Sequence, residues 1–207
     1  MVEQVDTRDL KSLDLRVVRV QVPLSAKGFA LKEAKGMKKT LIIVDVQNDF
    51  LSGGSLAVGT ADADFVKHME SIRSHFDQII LTADNHPSDH ISFSTFPPHC
   101  VAGTKGAQLA VAPADVLLLK GQQKDKEEFS PFEEGKHVDV IEGEEVYVAG
   151  LAGDFCVKQS LLDLLVYAPE KKLFAITDLI QSVDGRNYDA VDYFDGKVTF
   201  LSSKELL

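Results

Sequence analysis

Six short apolar runs recur along this chain: "KKTLIIVDV", "QIILTAD", "VLLLK", "EEVYVAG", "KLFAIT" and "KVTFLS". Most are continuous rather than alternating and rich in β-branched residues, which is how strands buried on both faces read. Two stretches of helical spacing lie between them. "ADADFVKHMESIRSHF" puts Phe65, Met69, Ile72 and Phe76 on one face, with Thr60 as the expected N-cap. "DFCVKQSLLDLLVYA" reads as a second helix. Strand–helix alternation with buried strands predicts an α/β fold, a three-layer α/β/α sandwich around a mostly parallel central sheet. Residues 12–22, "SLDLRVVRVQV", alternate apolar and polar and predict an edge strand, and residues 24–37 a connection.

At 207 residues the chain is expected to form one domain, 1–207, whose first 37 residues are an extension with no assigned role. The net charge of −10 repels phosphate backbones and anionic lipid, so neither nucleic acid nor a membrane is an expected partner. No apolar run approaches the length of a bilayer span. "MVEQVDTRDLKSLDL" has no basic segment followed by an apolar one, so no secretory signal is expected. With only two cysteines, Cys100 and Cys156, a reducing, cytoplasmic location is expected, and a structural disulfide is not.

Parallel sheets bind ligands outside the carboxyl ends of their strands. The residues at those ends are Asp45, Asp84 with His86 close behind, Lys120, and Cys156 in "VYVAGLAGDFCVKQS". Each has a bland reading: a turn carboxylate, a solvated amine, a packed thiol. Together they would bring two carboxylates, an imidazole, an ammonium and a thiol to one crevice. Cys156 stands where a helix begins, which predicts a lowered thiol pKa and backbone N–H groups able to hold an oxyanion. Asp45 and Lys120 are the neighbouring groups able to take its proton or balance its charge. The segment "TADNHPSDHISFSTFPPHC" holds Asp84, His86, His90 and His99, and so half of the six histidines. One carboxylate with imidazoles suits zinc, or less selectively iron or manganese.

The blocks "LIIVDVQNDFLSGGSLAV", "TADNHPSDHISF", "FPPHCVAGTKGAQL", "LLLKG" and "VAGLAGDFCV" resemble those of nicotinamidases, in the isochorismatase-like cysteine hydrolase superfamily. The resemblance spans roughly residues 38–200. It implies the isochorismatase-like hydrolase fold and an Asp45–Lys120–Cys156 triad. A cis peptide would fall at Leu151–Ala152, with the N–H groups of Ala152 and Cys156 as the oxyanion hole. Asp84, His86 and His99 would hold one divalent metal ion, Zn2+ before Fe2+ or Mn2+, and His90 matches a ligand used by some members. Phe50, Phe96 and Leu151 would line the substrate pocket. The implied reaction is nicotinamide to nicotinate and ammonia through a thioester, with pyrazinamide as a second small-molecule amide and a homo-oligomeric assembly. The alternatives are a related hydrolase of another small amide or carbamoyl group, an isochorismatase, and a non-catalytic binding protein on the same scaffold. Asn85 and Phe96 depart from the family, which often has Trp or Phe at the first position and Trp at the second.

Overall fold

The computed structural model of the chain describes residues 37–186, 188 and 193–206. The strand expected at 12–22 and nearly all of the N-terminal extension lie outside them. Among the described residues six strands form one sheet: β1 (Lys39–Val44), β2 (Gln78–Asp84), β3 (Val116–Lys120), β4 (Glu145–Leu151), β5 (Lys172–Gln181) and β6 (Val198–Leu201). Their order is β3-β2-β1-β4-β5-β6, and every ladder is parallel. Helices α1 (Ala63–Ile72) and α2 (Lys158–Tyr167) supply the outer layers.

Alternation along the strands sorts the core into two. Ile42, Val44, Ile80, Val146 and Val148 face Leu161 and Leu164 of α2. Leu41, Ile43, Leu81, Tyr147 and Ala149 face Phe65, Met69 and Ile72 of α1. Burial of each large side chain contributes about 1.5–3 kcal/mol. The helix α1 is capped by Asp62, whose carboxylate accepts from the N–H groups of Asp64 and Phe65, and not by Thr60. Thr60 turns instead toward the Gln181 side chain.

The chain order reverses between β1 and β4, the switch point at which parallel sheets open a crevice. Gly150 permits the close approach there. At φ 123°, a Cβ on it would run into the backbone of Val44. Strand β5 runs further than the expected "KLFAIT" because it shifts register against β4 between Val148 and Gly150 and then pairs again. Among the described residues no helix is long and apolar enough to cross a membrane.

Candidate active site

Asp45 follows the last residue of β1, Val44, which pairs with Thr82 on one side and Gly150 on the other. Asp84 and Lys120 are register partners at the ends of β2 and β3. Cys156 sits in a π-helical turn, Gly153–Val157, between β4 and α2. The sheet therefore delivers all four side chains to one edge, and all are buried.

Lys120 is the hub. Its Nζ lies 2.8 Å from Asp45 Oδ2 and 3.5 Å from Cys156 Sγ, and it donates a short hydrogen bond to Asp84 Oδ1. Thr82 Oγ1 donates to Asp45 Oδ1 at 2.6 Å and fixes that carboxylate from below. The Gln47 amide clamps Asp84 by its backbone, donating to its carbonyl at 2.8 Å and accepting from its N–H at 2.9 Å. Asp45 has a left-handed backbone, φ 50°, a conformation that costs an ordinary residue about 1 kcal/mol or more.

Burial raises the Asp45 pKa, and the Lys120 ammonium does not cancel the effect. Burial alone would raise Asp84 as well, but Lys120 and His86 outweigh it and hold that carboxyl well below its usual range. The Cys156 thiol is pushed up, by burial first, with the Asp45 and Asp84 carboxylates adding to it against Lys120. This corrects the sequence-based expectation of a lowered thiol pKa. The turn starts a helix, but the sulfur is buried and faces two carboxylates, and these effects outweigh the pull of the helix start and of Lys120.

Asp84 also belongs to a second group. It, His86 and His99 each offer a ligand atom, all within 4.8 Å of one another. His86 Nδ1–H donates to the Gly121 carbonyl at 2.9 Å, and His99 Nδ1–H donates to that of Pro97 at 2.8 Å. Both rings thus keep Nε2 as the free lone pair, with the backbone partner on the other nitrogen that metal-binding histidines show. Two imidazoles and a carboxylate in a buried pocket fit a divalent metal such as zinc. His86 Nε2 is 3.6 Å from Asp84 Oδ2. Burial lowers the His99 pKa, whereas at His86 the Asp84 carboxylate overcomes burial and raises it.

His90 stands outside this group. Its Nδ1 accepts the Ser92 N–H at 3.2 Å, and its Nε2–H donates to the Lys126 carbonyl at 2.9 Å. It stacks on His86, ring centroids 4.1 Å apart, with both nitrogens engaged.

A cavity of about 90 Å³ opens onto Cys156, Asp84, His86 and His99. Phe50 and Phe96 line it, as expected from the sequence, together with Phe129, Phe155 and Ala152. Leu151 does not. It is fully buried in the α1-side core, and Ala152 takes the wall position because side chains alternate at the strand end. The Leu151–Ala152 peptide is cis. Thr82, Gln47, Phe129 and Phe155 are the contributors that sequence reading missed. Gln47 and Phe155 stood inside the quoted motifs, whereas Phe129 comes from a loop with no periodic signal. Cys100 and Cys156 are both free thiols.

The isochorismatase domain family matches residues 39–191. The chain is 36% identical to a nicotinamidase/pyrazinamidase of Mycobacterium tuberculosis over 146 residues, covering 60% of this chain and 77% of that protein. Its fold resembles a pyrazinamidase of Pyrococcus horikoshii solved in complex with zinc, with a TM-score of 0.72 and 28% identity over 80% of this chain and 99% of that one. It also resembles PnC1 from L. infantum, solved in complex with nicotinate, with a TM-score of 0.71 and 30% identity over 81% and 94% of the two chains.

Proposed function

The chain belongs to the isochorismatase family, among its nicotinamidases, and from that premise we propose that it hydrolyses nicotinamide to nicotinate and ammonia with Cys156 as nucleophile. The observation that carries the reading is Lys120, whose ammonium bridges Asp45, Asp84 and the Cys156 thiol beside an aromatic cavity.

Asp45, its pKa raised by burial, accepts the Sγ proton as sulfur attacks the amide carbon. The oxyanion forms against the N–H groups of Ala152 and Cys156. Asp45 then gives its proton to the departing nitrogen, which leaves as ammonia, and a thioester remains. Water, losing a proton to Asp45, adds to the thioester. The thiolate is expelled and takes the proton back from Asp45, and the carboxylic acid product gives its own proton to solvent and leaves as nicotinate. Lys120 keeps its charge throughout and offsets whichever carboxylate is ionised. Asp84, His86 and His99 would hold a divalent metal, zinc before iron or manganese, which when bound would supply Lewis acidity and an anchor for a ring nitrogen.

Pyrazinamide, a close isostere, belongs to the same substrate class. The reading takes the chain as one catalytic domain, places it in the cytoplasm where a nucleophilic thiol stays reduced, and assigns it a homo-oligomeric state that light scattering checks. The deciding experiment is ammonia release across nicotinamide, pyrazinamide and small carbamoyl compounds, with metal content assayed on the same sample. Nicotinamide turnover with about one zinc per chain is expected. Turnover of carbamoyl compounds alone would move the chain to a neighbouring activity, and full activity after metal stripping would remove the metal.

A further inference from the structure

The loop after β3 carries a carboxylate that the reaction does not use. Glu128 is largely buried, and its Oε2 accepts the Gly121 N–H at 3.0 Å. Gly121 is the residue whose carbonyl accepts from His86 Nδ1–H. The peptide before it is held at its other end too, because the Lys120 carbonyl accepts the Asn85 N–H at 3.0 Å. Gly121 has φ 64°, and a Cβ there would collide with the His86 ring, so the imidazole rests directly on this turn. Glu128 Oε1 has two ammonium neighbours, Lys126 Nζ at 3.1 Å and Lys136 Nζ at 3.7 Å, so the carboxylate does not depend on either one alone to stay ionised and in place.

We propose that Glu128 is a positioning residue for His86: by holding the N–H side of Gly121 it aims the Gly121 carbonyl at Nδ1, and so fixes the His86 tautomer that leaves Nε2 toward Asp84. Among the described residues no other contact selects between the two ring nitrogens as firmly. His86 Nε2 at 3.6 Å from Asp84 is too long for a hydrogen bond that would fix the proton. The Gly121 carbonyl belongs to the next peptide and turns about the glycine's two soft dihedrals, so its direction is defined only relative to an anchored N–H side, which Glu128 supplies. Outer partners of this kind change metal affinity about 10–100-fold when removed.

The proposal rests on the metal reading of Asp84, His86 and His99, and its test separates the two. Zinc affinity is measured by chelator competition, and the His86 tautomer by imidazole nitrogen NMR on the metal-free protein in alkaline buffer. Glu128→Ala is expected to weaken zinc about 10–100-fold and to mix the tautomers. Glu128→Asp keeps the charge but draws back from the Gly121 N–H, and is expected to match Glu128→Ala. Glu128→Gln keeps an acceptor oxygen and is expected to stay within about threefold of wild type. Lys126→Met leaves the Gly121 bond intact and is expected to bind zinc as wild type does. Wild-type affinity and a single tautomer in Glu128→Asp would overturn the proposal, and so would a Lys126→Met loss equal to that of Glu128→Ala. If wild type itself takes up no zinc, the metal reading fails, and the metal-free tautomer alone decides the role of Glu128.

Discussion

The Asp45–Lys120–Cys156 group and the Asp84–His86–His99 group touch, share the neighbourhood of one ammonium, and are built by different means. The first is set by strand register. Val44 pairs with Thr82 and Gly150, and Asp84 pairs with Lys120, so the residues that follow are placed to within a side chain's reach by the sheet itself. The second depends on a loop. Its histidines are aimed by bonds to single backbone carbonyls, of Gly121 and Pro97, and by ring contacts, with His90 stacked on His86 and His99 edge-on to it. A register-built site is stiff because moving Asp45 or Lys120 means disturbing a ladder, and Cys156 follows β4 by only one π-helical turn. A loop-built site is adjustable, and each member has its own point of failure.

The largest expected effect falls on the register-built side. Cys156→Ala should cut ammonia release from nicotinamide by about 10⁴–10⁶-fold, as loss of a nucleophile does elsewhere, while zinc affinity stays within a few-fold of wild type. Residual turnover near the wild-type rate would end the nucleophile assignment. A drop in zinc affinity as large as the drop in rate would show that the two groups are one unit and break the comparison. Lys120→Met should come next. It removes the cation between two fully buried carboxylates and should destabilise the metal-free protein by about 3–5 kcal/mol near neutral pH. Without the ammonium, Asp45 and Asp84 fold with pKa values above the unfolded value of about 3.9. A raised carboxyl contributes stability at low pH and loses it as pH rises through the folded value. Melting of the chelated variant should therefore show the deficit shrink on acidification. A pH-independent deficit would mean that Lys120 matters through packing alone.

This division also explains what was legible in the sequence. Buried strands announce themselves as continuous apolar runs, and once they are parallel their carboxyl ends must share an edge. Asp45, Lys120 and Cys156 could therefore be grouped without knowing any side-chain geometry. Thr60 and Asp62 are both good capping residues near the helix start, and only the backbone path selects Asp62. Leu151 lies next to the pocket in sequence, but the strand's two-residue period sends its side chain into the core. The thiol pKa moves against what its helix position predicts, since helix position is visible in sequence and desolvation is not. Glu128 and Phe129 lie in a loop with no periodic pattern, so their roles emerge only when Gly121 and the cavity are in view.

On the loop-built side the effects should be smaller and separable. His99→Ala removes a ring whose free nitrogen lies in the donor cluster, and is expected to weaken zinc on the order of 100-fold or more by chelator competition, beyond what an outer partner costs. Cys156 alkylation in the metal-free variant should proceed no more slowly than in the wild type, because the charged groups that shift the thiol are unaltered and loss of the His99 ring only widens the cavity. A slower rate would show the loop reaching into the triad.

His90 gives the finest test. It lies between the other two histidines in sequence and stacks on one of them, yet both its nitrogens are spent on backbone groups of Ser92 and Lys126. For His90 to join a metal, at least the bond to the Lys126 carbonyl must break, which leaves a half-buried acceptor without its donor at a cost of about 1–3 kcal/mol. His90→Ala is therefore expected to lower stability by about that amount in thermal melts and to leave zinc affinity within about threefold. A zinc loss matching that of His99→Ala would place His90 among the ligands and require the 90–126 contact to open when metal binds. Melting in chelator separates the outcomes, because a structural histidine is missed equally with and without zinc, whereas a ligand is missed mainly when zinc is present.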